Sequence, residues 1–316
     1  MPAGFDPTRA PAGRLARLGI VLDVTRTSPD PRQLAILADR AGIDVVWLVA
    51  GSADAPDPSV QPWHVLPGFA ASIRRAAIGL LVDATSVSAS AVSEALRRHE
   101  ENGGGRVELC FVPPSAAPAD AETFRWLRAA GGPAGVSGFR RLSAAARDAT
   151  QIAHLLSVVD DIVLPAWSFP DLETIADETR AEAAEAGRDP ATLGVAALVH
   201  VSIGRTQAEA AARIGMDPGF HELGHPSETG IFGTLEECQD RVIALAHAGV
   251  SDLRCVIPST PDAIDVMAQL TAMTVGTTDV LVPGSLRSPP PPPPVGWGGR
   301  PDRPPQARVS GGSRRR

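Results

Sequence analysis

Two helix-to-strand units follow one another in the second half of the chain, and they restrict the possible folds more than any other feature. In the first, a helical stretch through Glu182 and Glu185 closes at Gly187. It passes the polar turn Arg188-Asp189-Pro190-Ala191-Thr192-Leu193 and enters the apolar run Gly194 to Ile203. In the second, Gly233-Thr234-Leu235-Glu236-Glu237-Cys238 opens a helix that reaches His247. The stretch Ala248-Gly249-Val250-Ser251-Asp252-Leu253-Arg254 then leads as a turn into the strand-like Cys255-Val256-Ile257. A glycine past the last helical turn takes the left-handed conformation that stops a helix, and a β-rich run directly after it is what a parallel α/β fold requires.

The first half repeats the alternation. Leu18 to Leu22 is a short apolar run ending at Asp23, and Pro31 to Ala41 reads as a helix with Leu34, Ile36, Leu37 and Ala41 on one face. Strand signals follow at Val45–Val49, Ala76–Val82, Val107–Val112 and Ile162–Leu164. Helices are expected over Ala89–Glu101, Ala121–Ala130 and Asp148–Val158. A weaker strand signal lies near Gly138–Leu142, completing a set compatible with an eight-fold (β/α) barrel. Strands separated by helices of this length pair in parallel through right-handed crossovers. A doubly wound open sheet gives nearly the same linear pattern, so periodicity leaves both architectures open.

Composition removes several functions. The chain of 316 residues has no tyrosine, and no lysine occurs in it, so a Schiff-base lysine, a phosphate-loop lysine and a tyrosine acid are all excluded. Net charge is −7, and residues 285–316 carry seven Arg against one Asp, which leaves −13 on residues 1–284. A body that acidic argues against nucleic acid as a partner. Hydrophobic content of 44% supplies a packed core. Cys110, Cys238 and Cys255 have neither metal nor redox spacing and read as buried thiols. No segment has signal-peptide or membrane-span character, so a cytoplasmic protein is expected. Residues 1–17 read as a flexible N-terminal segment and 18–284 as the barrel. Residues 285–316, with six consecutive prolines followed by Gly, Pro and Arg, read as a disordered tail.

Several segments resemble the bacterial luciferase-like family of flavin- or deazaflavin (coenzyme F420)-dependent oxidoreductases. They are the two units above, Ala41-Gly42-Ile43-Asp44-Val45-Val46-Trp47, Gly105-Arg106-Val107-Glu108-Leu109, and Ile152-Ala153-His154 through Asp161-Ile162-Val163-Leu164. The resemblance runs from about Leu18 to Leu270. It implies a (β/α)8 TIM-type barrel with the cofactor, F420 or FMN, across the C-terminal ends of the strands. It further implies a small organic substrate, hydride transfer or monooxygenation, a homodimer, and a bacterial source in keeping with the Ala/Arg/Pro usage. By the same resemblance the cofactor ring leans on the backbone at Val82-Asp83-Ala84, and its phosphate meets the turn Ala146-Arg147-Asp148-Ala149-Thr150. Arg147, Ala149 and Thr150 are the phosphate candidates there, although Asp148 is an ordinary helix cap that repels an anion. Asp23 and His64 are placed to face the barrel mouth, and no single catalytic residue is implied. Departures from the family pattern are the turn Leu48-Val49-Ala50-Gly51-Ser52 and the proline-rich exit Phe111-Val112-Pro113-Pro114, where glycine is usual. They keep a non-catalytic cofactor- or partner-binding member as the alternative.

His221-Glu222-Leu223-Gly224-His225 matches the zinc-protease pattern H-E-x-x-H, in which two His one turn apart bind the metal. The pattern needs a continuous helix, and Pro218-Gly219 before it, Gly224 within it and Pro226 after it deny one. A zinc hydrolase through His221, Glu222 and His225 is therefore the lesser alternative, with His221 and His225 read instead as substrate-pocket or loop residues. Trp126, Trp167 and Phe169 could stack on a planar ring or simply pack, and Asp160-Asp161 reads as a solvated turn.

Overall fold

The structure, a computed structural model, describes residues 15–26, 29–51, 53, 56–57, 62–83, 89–101, 107–112, 139–169, 171–215, 230–258 and 263–274. Ala84, Trp126, the helix expected over Ala121–Ala130, the His221/Glu222/His225 motif, residues 1–14 and the 285–316 tail lie outside the described residues.

Local chemistry starts and stops the elements. Helix α1 (Pro31–Ala41) begins with Pro31 in its first turn and with the Asp30 carboxylate accepting the Arg32 N–H at 2.9 Å; it ends at Gly42 with φ 87°. Strand β1 (Arg17–Asp23) precedes it, and β2 (Val45–Val49) follows at once. The chain continues through α2 (Leu66–Ala70), β3 (Ala77–Asp83), α3 (Ala89–Glu101), β4 (Val107–Val112), β5 (Phe139–Ala145), α4 (Ala149–Leu155), β6 (Asp161–Pro165), α5 (Leu172–Glu185), β7 (Gly194–Ile203), α6 (Gln207–Gly215), β8 (Ile231–Gly233), α7 (Leu235–His247), β9 (Asp252–Val256) and α8 (Ala263–Thr274). A reciprocal cap starts α7: Glu237 Oε2 accepts the Thr234 N–H at 2.8 Å while the Thr234 hydroxyl accepts the Glu237 N–H at 3.4 Å.

Eight of the strands close on themselves. Each of β1 to β7 pairs in parallel with the next, β7 pairs with β9, and β9 returns to β1. Short β8 pairs only with the far end of β7, at Val201–Ile203. The architecture is thus the closed barrel rather than the open sheet. The weak strand signal near Gly138–Leu142 is β5, whose register shifts against β4 at Val107/Glu108; a bulge beside the Arg140-Arg141 pair explains why its alternation is poor.

Side chains alternate across the wall. Leu18, Ile20, Leu22, Val46, Leu48, Ile78, Leu80, Val82, Leu109 and Phe111 point outward and are buried with the inner faces of the helices. Burial of each such side chain contributes roughly 1.5–3 kcal/mol, so this outer layer supplies most of the packing energy. Val21, Val45, Trp47, Val49, Leu81, Cys110, Val112, Ala145, Val163, Ala196 and Leu198 point inward as a second cluster. Trp47 spans that interior only because its neighbours have no side chain. A Cβ on Gly19 would lie 2.7 Å from the indole Nε1, and one on Gly79, paired directly with Trp47, would overlap the ring.

Candidate functional site

The barrel interior has two chemically distinct ends. Toward the strand N-termini it holds three arginines and three carboxylates, Arg17, Arg141, Arg254, Glu108, Asp161 and Asp252, all buried. Arg17 Nη2 donates to Glu108 Oε1 at 2.7 Å and its Nη1 lies 3.9 Å from Asp252. Arg141 pairs with Asp161 across the β5–β6 step. Arg254 Nε donates to Asp252 Oδ2 at 3.3 Å, its Nη1 to the Ser143 hydroxyl at 3.0 Å, and its guanidinium lies 3.8 Å over the Trp47 ring.

Two of the sequence expectations are corrected here. Asp161 is a wholly buried strand residue, not part of a solvated turn, and Asp252 and Arg254 belong to β9 rather than to the turn before it. Their charges are tolerable inside the barrel because signs balance and each group meets an opposite one. Burial pushes the Asp161 carboxyl up to about 6, against the pull of Arg141 and Arg254. Asp252 suffers the same burial, but Arg254 and Arg17 together outweigh it and hold its pKa below the usual carboxylate range. Asp161 is therefore the weaker acid of the pair. At this N-terminal end such a network reads as scaffold, since chemistry in barrels of this kind sits at the opposite face.

The opposite end is apolar with a polar edge. Val49, Val112 and Ala145 floor it, and Asp23, Asp83 and His200 stand at the ends of β1, β3 and along β7. Asp23 is a turn organiser: Oδ1 accepts from the Thr25 N–H at 2.9 Å, the Thr25 hydroxyl at 2.7 Å and the Gly51 N–H at 2.9 Å, and Oδ2 lies 3.4 Å from Arg26 Nε. It ties the β1 exit to the β2 exit and, with Arg26, lines a cleft that Leu22, Pro29, Pro31, Ile257 and Pro258 complete. Asp83 follows Leu81 on the inward side of β3. Val82 points the other way into the outer layer, so only its backbone can face a ligand. Phe111 also points outward, which leaves Val112 as the one described side chain of the Phe111-Val112-Pro113-Pro114 exit inside the mouth.

His64 sits on a short helical turn in the β2–α2 connection, exposed, with the Trp63 ring edge-on to it at 6.2 Å. Arg147, Ala149 and Thr150 surround the start of α4, and Ala149 and Thr150 are exposed. There the Asp148 carboxylate accepts the Gln151 N–H at 2.8 Å, and Gln151 Oε1 accepts the Arg147 N–H at 2.9 Å. The Gln151 and Arg147 N–H groups are thus engaged within the turn, the first by a carboxylate. The mouth offers a planar group an apolar floor of small side chains with acid and imidazole groups at its edge, whereas at the α4 turn the exposed Asp148 carboxylate opposes an anion. Among the described residues no group of three His, Cys, Asp or Glu side chains could hold a metal.

Sequence reasoning passed over His200, which is 1% exposed and packs against the Trp167 ring at 4.9 Å between centroids, tilted by 36°. The available signal was a polar residue inside the run Ala196-Ala197-Leu198-Val199-His200, at the inward parity of Ala196 and Leu198. Of the aromatic candidates, Trp167 reaches the mouth, whereas Phe169 is buried in the outer core. The three cysteines are buried and free, and burial raises the Cys238 thiol to about 12, which leaves it inert. No described helix is long and apolar enough to cross a membrane.

By sequence the chain matches no protein-family profile and no curated protein. Solved structures do resemble it. An F420-dependent secondary alcohol dehydrogenase in complex with an F420-acetone adduct is 16% identical with a TM-score of 0.65, covering 82% of this chain and 99% of the other. The coenzyme F420-dependent tetrahydromethanopterin reductase of Methanopyrus kandleri is 14% identical with a TM-score of 0.61, covering 82% and 98%. The monooxygenase RslO1 of Streptomyces bottropensis is 14% identical with a TM-score of 0.62, covering 81% and 98%. The chain therefore shares with these oxidoreductases the (β/α)8 barrel fold that its sequence resemblance implied.

Proposed function

We propose that this protein is an oxidoreductase of the luciferase-like class that binds reduced F420 or FMN at the C-terminal mouth of its barrel and acts on a small organic substrate. The observation that carries the reading is the asymmetry of the closed barrel: charges sealed at one end, and an apolar floor edged by Asp23, Asp83 and His200 at the other. When bound, the cofactor supplies the hydride or the electrons for oxygen chemistry. The chain supplies placement. Val49, Val112 and Ala145 give a ring a dry face to rest on, the backbone at Val82 and Asp83 sets its height, and buried His200 stacked on half-buried Trp167 closes the β6–β7 side against water. Asp23 serves through its turn, holding the β1 and β2 exits at a fixed separation. Arg147 and Thr150 are the groups of the α4 turn able to meet a phosphate, with Asp148 opposing them. His64, His221 and His225 are assigned to the substrate side.

The test is a fluorescence titration of the folded, purified chain with oxidised F420 and, separately, FMN. Micromolar binding of either is the expected result and identifies the redox carrier for a substrate screen. Failure of both to bind would transfer the reading to the non-catalytic alternative.

A further inference from the structure

Among the described residues of the charged layer, Trp47 Nε1, Arg254 Nη2, Asp161 Oδ2 and Asp252 Oδ1 find no hydrogen-bond partner in the protein. Each belongs to a side chain that is at most 1% exposed. An unmet buried donor or acceptor costs about 1–3 kcal/mol, more when charged, so four in one layer call for a partner. Arg254 Nη2 donates and Asp161 Oδ2 accepts, and a single water can accept from the first and donate to the second. Arg254 Nη2 and Asp161 Oδ2 stand 4.0 Å apart, too far for a direct bond and a separation that one bridging water spans.

The neighbouring inward positions are small. On β7 they are Gly194, paired with Asp161, and Ala196, paired with Asp252; on β5 the position is Ser143. Gly194 is required there, since a Cβ would overlap the Asp161 carboxylate and the Arg141 guanidinium. Charge selects the ligand. Arg17, Arg141 and Arg254 balance Glu108, Asp161 and Asp252, so neither a cation nor an anion gains from entering, and a small neutral donor–acceptor remains.

We propose that the barrel core holds a resident water molecule bridging Arg254 Nη2 and Asp161 Oδ2, which joins β6 to β9 across the interior. The site is separate from the mouth and independent of any cofactor. A crystal structure of the full chain at a resolution that shows ordered water tests it. The expected result is a density peak within hydrogen-bond distance of both atoms, in every copy. Direct contact between Arg254 Nη2 and Asp161 Oδ2, or a dry gap closed by a side chain, would overturn the proposal. Oxygen-17 relaxation dispersion on the same protein in solution gives a second reading: at least one water outlasting molecular tumbling is expected, and a count of zero also overturns it.

Discussion

The two ends of the barrel interior solve opposite problems with the same wall. At the strand N-termini six ionised groups are removed from water and compensated by one another, so each depends on the rest. At the C-termini the described residues are mostly small and apolar, and the polar ones stand at strand ends where loops begin. A sealed layer whose charges balance one another has no capacity to bind a variable charged ligand, whereas a floor of Val and Ala with a polar edge can take an organic one. Change at the first end should thus appear as stability, and change at the second as binding.

The sharpest break of that contrast comes from Arg254. Arg254→Met strands Asp252 and Asp161 in the core, and breaking a buried pair this way costs about 3–5 kcal/mol. Urea unfolding should show that loss, or no folded protein at all. Gly79→Ala comes next. Its methyl would meet the Trp47 indole, and overpacking of this kind costs about 1–3 kcal/mol, measurable in the same assay.

Asp161 offers a pH-resolved version. Its pKa rises from 3.8 in the unfolded chain to about 6 in the fold. The folded protein therefore takes up this proton first, and the associated stability is complete below pH 3.8 and lost as pH rises through about 6. Asp252 runs the other way, its contribution being lost as pH falls through its lowered pKa. Unfolding free energies of the wild type relative to Asp161→Asn should rise as pH falls from neutrality, by about 3 kcal/mol in total. An unchanged difference would show that the two states bind this proton equally.

At the mouth, His200→Phe keeps volume and the stack on Trp167, so stability should move by less than about 1.5 kcal/mol. Binding of whichever cofactor the protein takes should weaken about tenfold, or ~1.4 kcal/mol, by titration. The smallest effect is expected of Asp148→Asn. Asparagine caps a helix as well as aspartate does, so stability should stay within about 0.5 kcal/mol, while removal of the charge tightens cofactor binding if the phosphate lies at α4.

How much of this was legible in the sequence follows the same division. The helices 31–41 and 89–101 and the strands 45–49, 107–112 and 194–203 lie where periodicity and caps put them, because outward-facing apolar residues and glycine stops are local signals. Barrel closure was not local: it rests on β9 returning to β1, which an open sheet would lack. The ionic layer was misread because a charge next to a turn looks solvated. Only the alternation of Asp252 with Arg254, and Glu108 set between Val107 and Leu109, mark those residues as inward. His200 was hidden for the converse reason, as one polar residue in a long apolar run whose partner, Trp167, comes from another strand's exit. Side chains that meet across a barrel leave no fixed spacing in the sequence.

Hydrogen–deuterium exchange with and without saturating F420, and again with FMN, compares the two ends directly. Slower exchange on ligand addition is expected in peptides covering the C-terminal ends of β1, β2, β3 and β7, with no change at the N-terminal ends of the same strands. Protection centred on the N-terminal ends, or none with either cofactor, would contradict the assignment of the mouth as the binding face.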